Sequence, residues 1–257
     1  MTRRAFTFLM AGTALRAETL KERGKRMLDK CVYAVGGDAF RNLRTRTEIG
    51  RAYSFYHENL SGLAIARIYT KYVSRPDLSE VQRQVLGKKQ EDTVILTPSG
   101  ACEITFRGAK ALPPERVEQF RESVVHDIFY ILRERLNEPG VEWESSGSDV
   151  IENQPVEVLN FYDAQDRNVT VWINADTFLP VRQRFQHWDN IIKDRREEVT
   201  RYSKYRDVGN GVMWPFAIER ERDGEKIFNM FSERVTVNDP LDDKLFELPP
   251  GIRNALK

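Results

Sequence analysis

Between Thr45 and Val237 the chain is cut into short runs in which apolar and polar residues alternate. These are TRTEIGRAYSFYH, LAIARIYTKYV, EVQRQVL, DTVILT, ACEITF, VEWESS, PVEVLNFY, NVTVWIN, LPVRQRFQHW and REEVTRYSKYRDV, followed by a final hairpin. A period of two over six to thirteen residues, rich in Val, Ile, Thr and aromatics, specifies strands. The connections Pro98-Ser99-Gly100, Asp163 to Asp166 and Asn174-Ala175-Asp176 are too short for a parallel crossover, so the strands must pair antiparallel. Eleven or twelve strands in one sheet force it to curl or split.

Only two segments have helical spacing. From Thr19 to Val35 the apolar positions are Leu20, Met27, Leu28, Cys31 and Val35, with Gly36-Gly37 as the stop. Between Pro113-Pro114 and Pro139-Gly140, Val117, Phe120, Val124, Ile128 and Ile131 form a second stripe. The expected fold is therefore α+β, mainly β: an unclosed antiparallel barrel or strongly curved sheet of about 11 strands, with the helices covering its concave face. In the last hairpin Val212, Trp214, Phe216 and Ile218 recur at every second position, Asp223-Gly224 supplies the turn, and Ile227, Phe231, Val235 and Val237 are expected on one returning face. Leu245-Phe246 then offers an apolar plug for one end of the lumen.

The start, MTRRAFTFLMAGTALRAET, has a basic pair, an apolar run too short to span a bilayer, and a small residue at Ala17. It is expected to be an export signal over residues 1–17, twin-arginine-like at Thr2 to Phe6, leaving 18–257 as a single periplasmic domain. Without that leader the chain lies within two charges of neutrality and has no basic face, which argues against a nucleic-acid partner. Cys31 and Cys102 fit either a disulfide or two packed thiols. No two of His57, His126 and His187 have ligand spacing on one helix, no serine stands in a nucleophile elbow, and Gly209-Asn210-Gly211 precedes a strand rather than a helix. The expectation is a monomeric binding protein, not an enzyme, with no cofactor or metal.

Three segments together resemble one family. Gly36-Gly37 with Phe40, Leu43 and the Gly50 strand is similar to the opening of the LolA/LolB-like superfamily of outer-membrane lipoprotein carrier and sorting proteins. VTVWINADTFLPVRQRF, with its turn from Asp176 to Pro180, resembles the family's middle strands. Gly211, Pro215, Val237-Asn238, Asp242, Leu245-Phe246 and Pro249 resemble its closing pattern. The resemblance implies helices acting as a lid over a hydrophobic cavity that holds an acyl chain of a lipid or lipoprotein. The cavity is expected to be lined by Ile49, Tyr53, Phe55, Ile65, Phe120, Val124, Ile128, Val171, Phe185, Trp214 and Phe216. An envelope sensor or protein-interaction domain of the same fold, with a filled core, is the alternative. The family's carriers use an arginine near the start of the sheet to hold the lid, and Arg46, Arg51 and Arg67 all stand in that region.

Overall fold

The structure, a computed structural model, describes residues 18–73, 79–87, 92–189 and 192–255; the expected leader at 1–17 lies outside them. Thirteen strands form one sheet: β1 (Thr45–Tyr56), β2 (Asn59–Tyr72), β3 (Glu80–Leu86), β4 (Asp92–Thr97), β5 (Gly100–Thr105), β6 (Gly108–Ala111), β7 (Glu142–Ile151), β8 (Gln154–Tyr162), β9 (Asn168–Asn174), β10 (Pro180–Asp189), β11 (Asp194–Asp207), β12 (Met213–Arg222) and β13 (Glu225–Val237). Their spatial order is β6-β5-β4-β3-β2-β1-β13-β12-β11-β10-β9-β8-β7. Every contact is a hairpin between sequence neighbours except β1 with β13, which joins the two halves at the centre. The edges β6 and β7 do not pair, so the sheet is unclosed as expected.

The strand missing from the sequence reading is β6, Gly-Ala-Lys-Ala. It has no β-branched or aromatic residue and is held as an edge only by pairing with β5, Cys102 opposite Ala111. Three tight turns place two consecutive residues at positive φ: His57-Glu58, Glu152-Asn153 and Asp223-Gly224. That geometry matches the twist of the flanking strands, and only the third advertises itself by a glycine.

A bulge in β13 alters the expected faces of the last hairpin. Ile49 lies opposite Arg234 and Gly50 opposite Ser232, so Glu233 is the extra residue. Val235 consequently faces the helices while Phe231 points to the other side, against Tyr53 at 5.7 Å between ring centroids.

Helix α1 (Leu20–Ala34) starts at a capping box in which Thr19 and Glu22 bond each other's backbone amides. It presses Gly24 onto β7, where a Cβ would lie 3.0 Å from the Ser145 nitrogen. The short α2 (Gly37–Arg41) follows. The second helical stripe proves to be two pieces, not one. Helix α3 (Pro114–Val125) ends at His126, and Asp127 caps a new start by accepting from the Phe129 and Tyr130 amides at 2.9 and 3.2 Å. Helix α4 (Ile128–Tyr130) then runs into a π-helical turn, Ile131–Arg135. A 3₁₀ turn (Asp243–Phe246) and α5 (Pro250–Ala255) close the chain.

One core fills the concave side beneath α1 and α4. It joins Met27, Leu28 and Cys31 of α1 and Ile128, Phe129, Ile131 and Leu132 of the second helical segment to Val171, Phe185, Tyr202, Trp214 and Phe216 of the sheet. Buried Arg135 threads this side, donating to Asp163 Oδ2 at 2.5 Å and to the Val125 carbonyl at 2.7 Å. Burial opposes the Asp163 carboxylate, but donors from Arg135, Arg167 and the Gln165 amide outweigh it and hold its pKa at about 2.

The C-terminal segment lies on the opposite, convex face. Leu248 and Ile252 pack with Ile95 and Cys102, and Arg83 donates to the Leu245 carbonyl at 3.1 Å. Leu96, the neighbour of Ile95, packs instead with α3 on the concave face. The Leu245-Phe246 plug expected in the lumen therefore covers the outside of β3 and β4. The same division settles the cysteines: Cys31 belongs to the concave core and Cys102 to the convex cluster, both are free, and the sheet stands between them.

Candidate functional site

In β1 the alternation is regular, so Arg46, Glu48, Gly50 and Ala52 share one face, and Ile49, Arg51, Tyr53 and Phe55 share the other. Arg46 fixes which face is concave. Its guanidinium lies 3.9 Å from the centroid of the core Trp214 ring and donates to the Tyr72 hydroxyl at 2.6 Å. Arg133 of the π-helical turn lies over the Tyr72 ring, at 4.2 Å, so Arg46 is linked to the covering helices through one aromatic ring. Arg51 is exposed on the convex face against Glu233, and Arg67, opposite Ile49, is on that face too.

Continuing along the concave face, the large side chains give way to small ones. Ala52 lies opposite Ala64 and Met230, and Ala66 opposite Gly50 and Leu86. Ala52, Ala66 and Met230 form a separate buried cluster bordered by Ile68, Leu86, Ile218 and Phe228. This is a floor of low side chains at the centre of the sheet, joined to the main core through Ile218.

Helix α3 packs on β4 and β5 and faces β10 to β13 across a small cavity. On one side Phe120 and Val124 pack with Leu96, Val125 and Tyr130. On the other, Gln119, Glu122 and Ser123 border a cavity of about 90 Å³ whose remaining walls come from β10 to β13: Gln183, Phe185, His187, Asp189, Glu198, Thr200, Arg220, Arg222 and Ile227, with Asp127 at its end. The apolar residues of α3 and those of the floor form distinct clusters. Only two buried apolar side chains, Phe120 and Val124, hold α3 down, whereas α4 is built into the main core.

The cavity's charges are mostly engaged. Asp189 accepts from Arg196 at 2.8 Å, and Glu198 accepts from Arg222 at 2.6 Å with His187 Nε2 3.7 Å away. The adjacent Glu198 carboxylate raises the His187 pKa. Glu122 faces His126 Nδ1 at 3.3 Å, and burial raises its pKa. Burial likewise raises that of Asp127, whose oxygens also receive the two helix amides and the Tyr202 hydroxyl at 3.3 Å. Gln183 spends its oxygen on the Ile128 amide, 2.7 Å away, which ties the start of α4 to β10. Arg220 is the exception: it is exposed, makes no ion pair among the described residues, and lies directly across from the floor residue Phe228.

Of the eleven residues expected to line the cavity, Ile128, Val171, Phe185, Trp214 and Phe216 meet in the packed core, and Phe120 and Val124 anchor α3. Phe185 alone among the eleven borders the cavity. Ile49, Tyr53, Phe55 and Ile65 do not line it, because strand alternation turns them to the convex face, where Ile65 is 41% exposed. In β1 and β2 the large apolar residues lie on the convex face, and the concave face is marked by small residues at the alternate positions Gly50, Ala52, Gly62, Ala64 and Ala66. Among the described residues no group of three or more His, Cys, Asp or Glu could hold a metal ion.

No family model matches the sequence, and no curated protein matches it. Solved structures do match by shape. A candidate outer membrane lipoprotein-sorting protein domain from Vibrio parahaemolyticus superposes with a TM-score of 0.55 at 9% identity, covering 92% of this chain and 99% of that one. A DUF1329 family protein from Desulfovibrio piger gives 0.58 at 12% identity, covering 91% and 99%. A LolA superfamily protein from Nitrosomonas europaea matches at 0.46 and 14% identity, over 88% and 97%. The fold is thus the open curved antiparallel sheet shared with the Vibrio and Desulfovibrio structures.

Proposed function

Taking that fold as the premise, we propose that the chain is an exported binding protein that holds an acyl chain of a lipid or lipoprotein, without covalent chemistry, between α3 and the floor of β1, β2, β12 and β13. The observation that carries the reading is α3 itself. It reaches from Leu96 of β4 to a cavity walled by β10 to β13, packs at one side through two apolar residues, and leaves Ala52 of β1 and Ala66 of β2 in a cluster that contains none of its side chains. The cavity beside α3, about 90 Å³, holds no more than a few waters. Uptake therefore requires α3 to lift.

The energies decide what chain length can do this. Exposing Phe120 and Val124 costs about 3–6 kcal/mol, and each methylene buried contributes about 0.8 kcal/mol. A chain of about eight methylenes offsets the opening, and longer ones bind with net gain. Affinity measured by displacement of a fluorescent fatty acid from delipidated protein should be negligible for octanoate and rise steeply through dodecanoate to palmitate. Equal, weak displacement at every length would defeat the proposal. The leader and the periplasmic location belong to the same reading and are checked by fractionation and N-terminal sequencing of the mature protein, with the new terminus expected near Ala17.

A second reading rests on the convex face. Tyr53, Phe55, Leu63, Ile65 and Phe231 share it, and Leu63 and Ile65 are exposed. An exposed apolar patch of this kind suits an envelope protein partner with the core left filled. Loss of partner capture in Leu63→Ser, in a protein that displaces no fatty acid at any chain length, would favour it.

A further inference from the structure

We infer that Arg220 makes the site selective for amphiphiles with an anionic headgroup, a carboxylate or a phosphate; this rests on the acyl-chain reading above. Every other charge around the cavity has a partner: Asp189 has Arg196, Glu198 has Arg222 and His187, Glu122 faces His126, and Asp127 is occupied by two helix amides and Tyr202. Among the described residues Arg220 makes no ion pair; it is exposed and lies in the field of buried Asp127. Its position is the second half of the argument. It is the cross-strand partner of Phe228, it precedes the cavity residue Arg222 on the same face, and two residues before it Ile218 begins the apolar floor.

An extended chain lying along Ile218, Met230 and Ala52 thus ends beside an unpaired guanidinium. A guanidinium forks onto carboxylate or phosphate oxygens with two parallel donors. It would meet a neutral headgroup with ordinary hydrogen bonds and repel a cationic one. The chain supplies the affinity and Arg220 the discrimination.

The test uses four sixteen-carbon compounds, palmitate, hexadecyl phosphate, hexadecanol and hexadecyltrimethylammonium, competing against a fluorescent fatty acid on the delipidated full-length mature protein. Palmitate and hexadecyl phosphate should displace it at concentrations at least tenfold lower than hexadecanol, with the cationic compound weakest and the spread shrinking in high salt. In Arg220→Gln the two anionic compounds should fall to the hexadecanol level while hexadecanol itself is unchanged, and Arg220→Lys should retain part of the preference. Equal displacement by anionic and neutral compounds, or a preference that survives Arg220→Gln, would overturn the assignment while leaving the chain-binding reading standing. Failure of all four to displace would overturn both.

Discussion

His126 is 1% exposed, lies flat on Phe185 with ring centroids 4.3 Å apart, and gives its Nδ1 proton to the Glu122 carbonyl 2.7 Å away. Burial pulls its pKa down to about 4, and the nearby Arg167 and Arg135 charges add to the shift. The folded state therefore binds this proton less readily than the unfolded chain does. Its share of stability is complete above the ordinary histidine pKa of 6.5 and is lost as pH falls from 6.5 to about 4. The loss should be roughly 3 kcal/mol. Urea unfolding at pH 7.5 and pH 4.5 should show it in the native chain, and His126→Gln should flatten that step; an unchanged step would locate the proton elsewhere. Asp163 acts at lower pH, its contribution fading from about pH 4 towards pH 2. The sequence marked His126 only as a histidine without metal spacing. Nothing in the neighbouring letters shows that Phe185, fifty-nine positions later, will form its stacking surface.

At the level of elements, nearly every strand was legible, because alternation and turn residues are local signals. Strand β6 was missed for lack of any propensity, and the interruption between α3 and α4 was missed because the apolar stripe runs on past it. Asp127 is the cause of that interruption, and its removal should cost about 1 kcal/mol of stability. In Asp127→Ala the amides of Phe129 and Tyr130 should exchange faster than those of α1. Uniform exchange across both helices would mean the cap is immaterial. The centre of the sheet is less forgiving. A Cβ at Gly50 would lie 2.1 Å from the Phe231 carbonyl oxygen and 2.7 Å from the Ser232 Cα, so the β1–β13 pairing would have to shift. Gly50→Ala should destabilise the protein by about 3 kcal/mol or more in denaturant unfolding. A variant of native stability would refute the close approach. The resemblance identified Gly50 as the mark of an opening strand; the β13 bulge opposite it supplies the physical reason.

Across the whole molecule, a single sheet carries two apolar surfaces with different fates. Its concave side is packed under α1 and α4, with α3 held on β4 and β5 beside a separate cluster of small residues; its convex side is covered by the C-terminal segment at β3 to β5 and left open at Leu63 and Ile65. The overall architecture could be read from strand count, short turns and helix number. The floor could not, because which parity of a strand faces inward depends on its neighbours across the sheet, and β1 offers apolar residues on both. The measurement that bears most directly on the account is a crystal structure of the mature protein with palmitate bound. The chain should run under a lifted α3 along Ala52, Ala66 and Met230, with its carboxylate at Arg220. Density on the Tyr53, Leu63 and Ile65 face, or a concave side still closed over an empty floor, would contradict it.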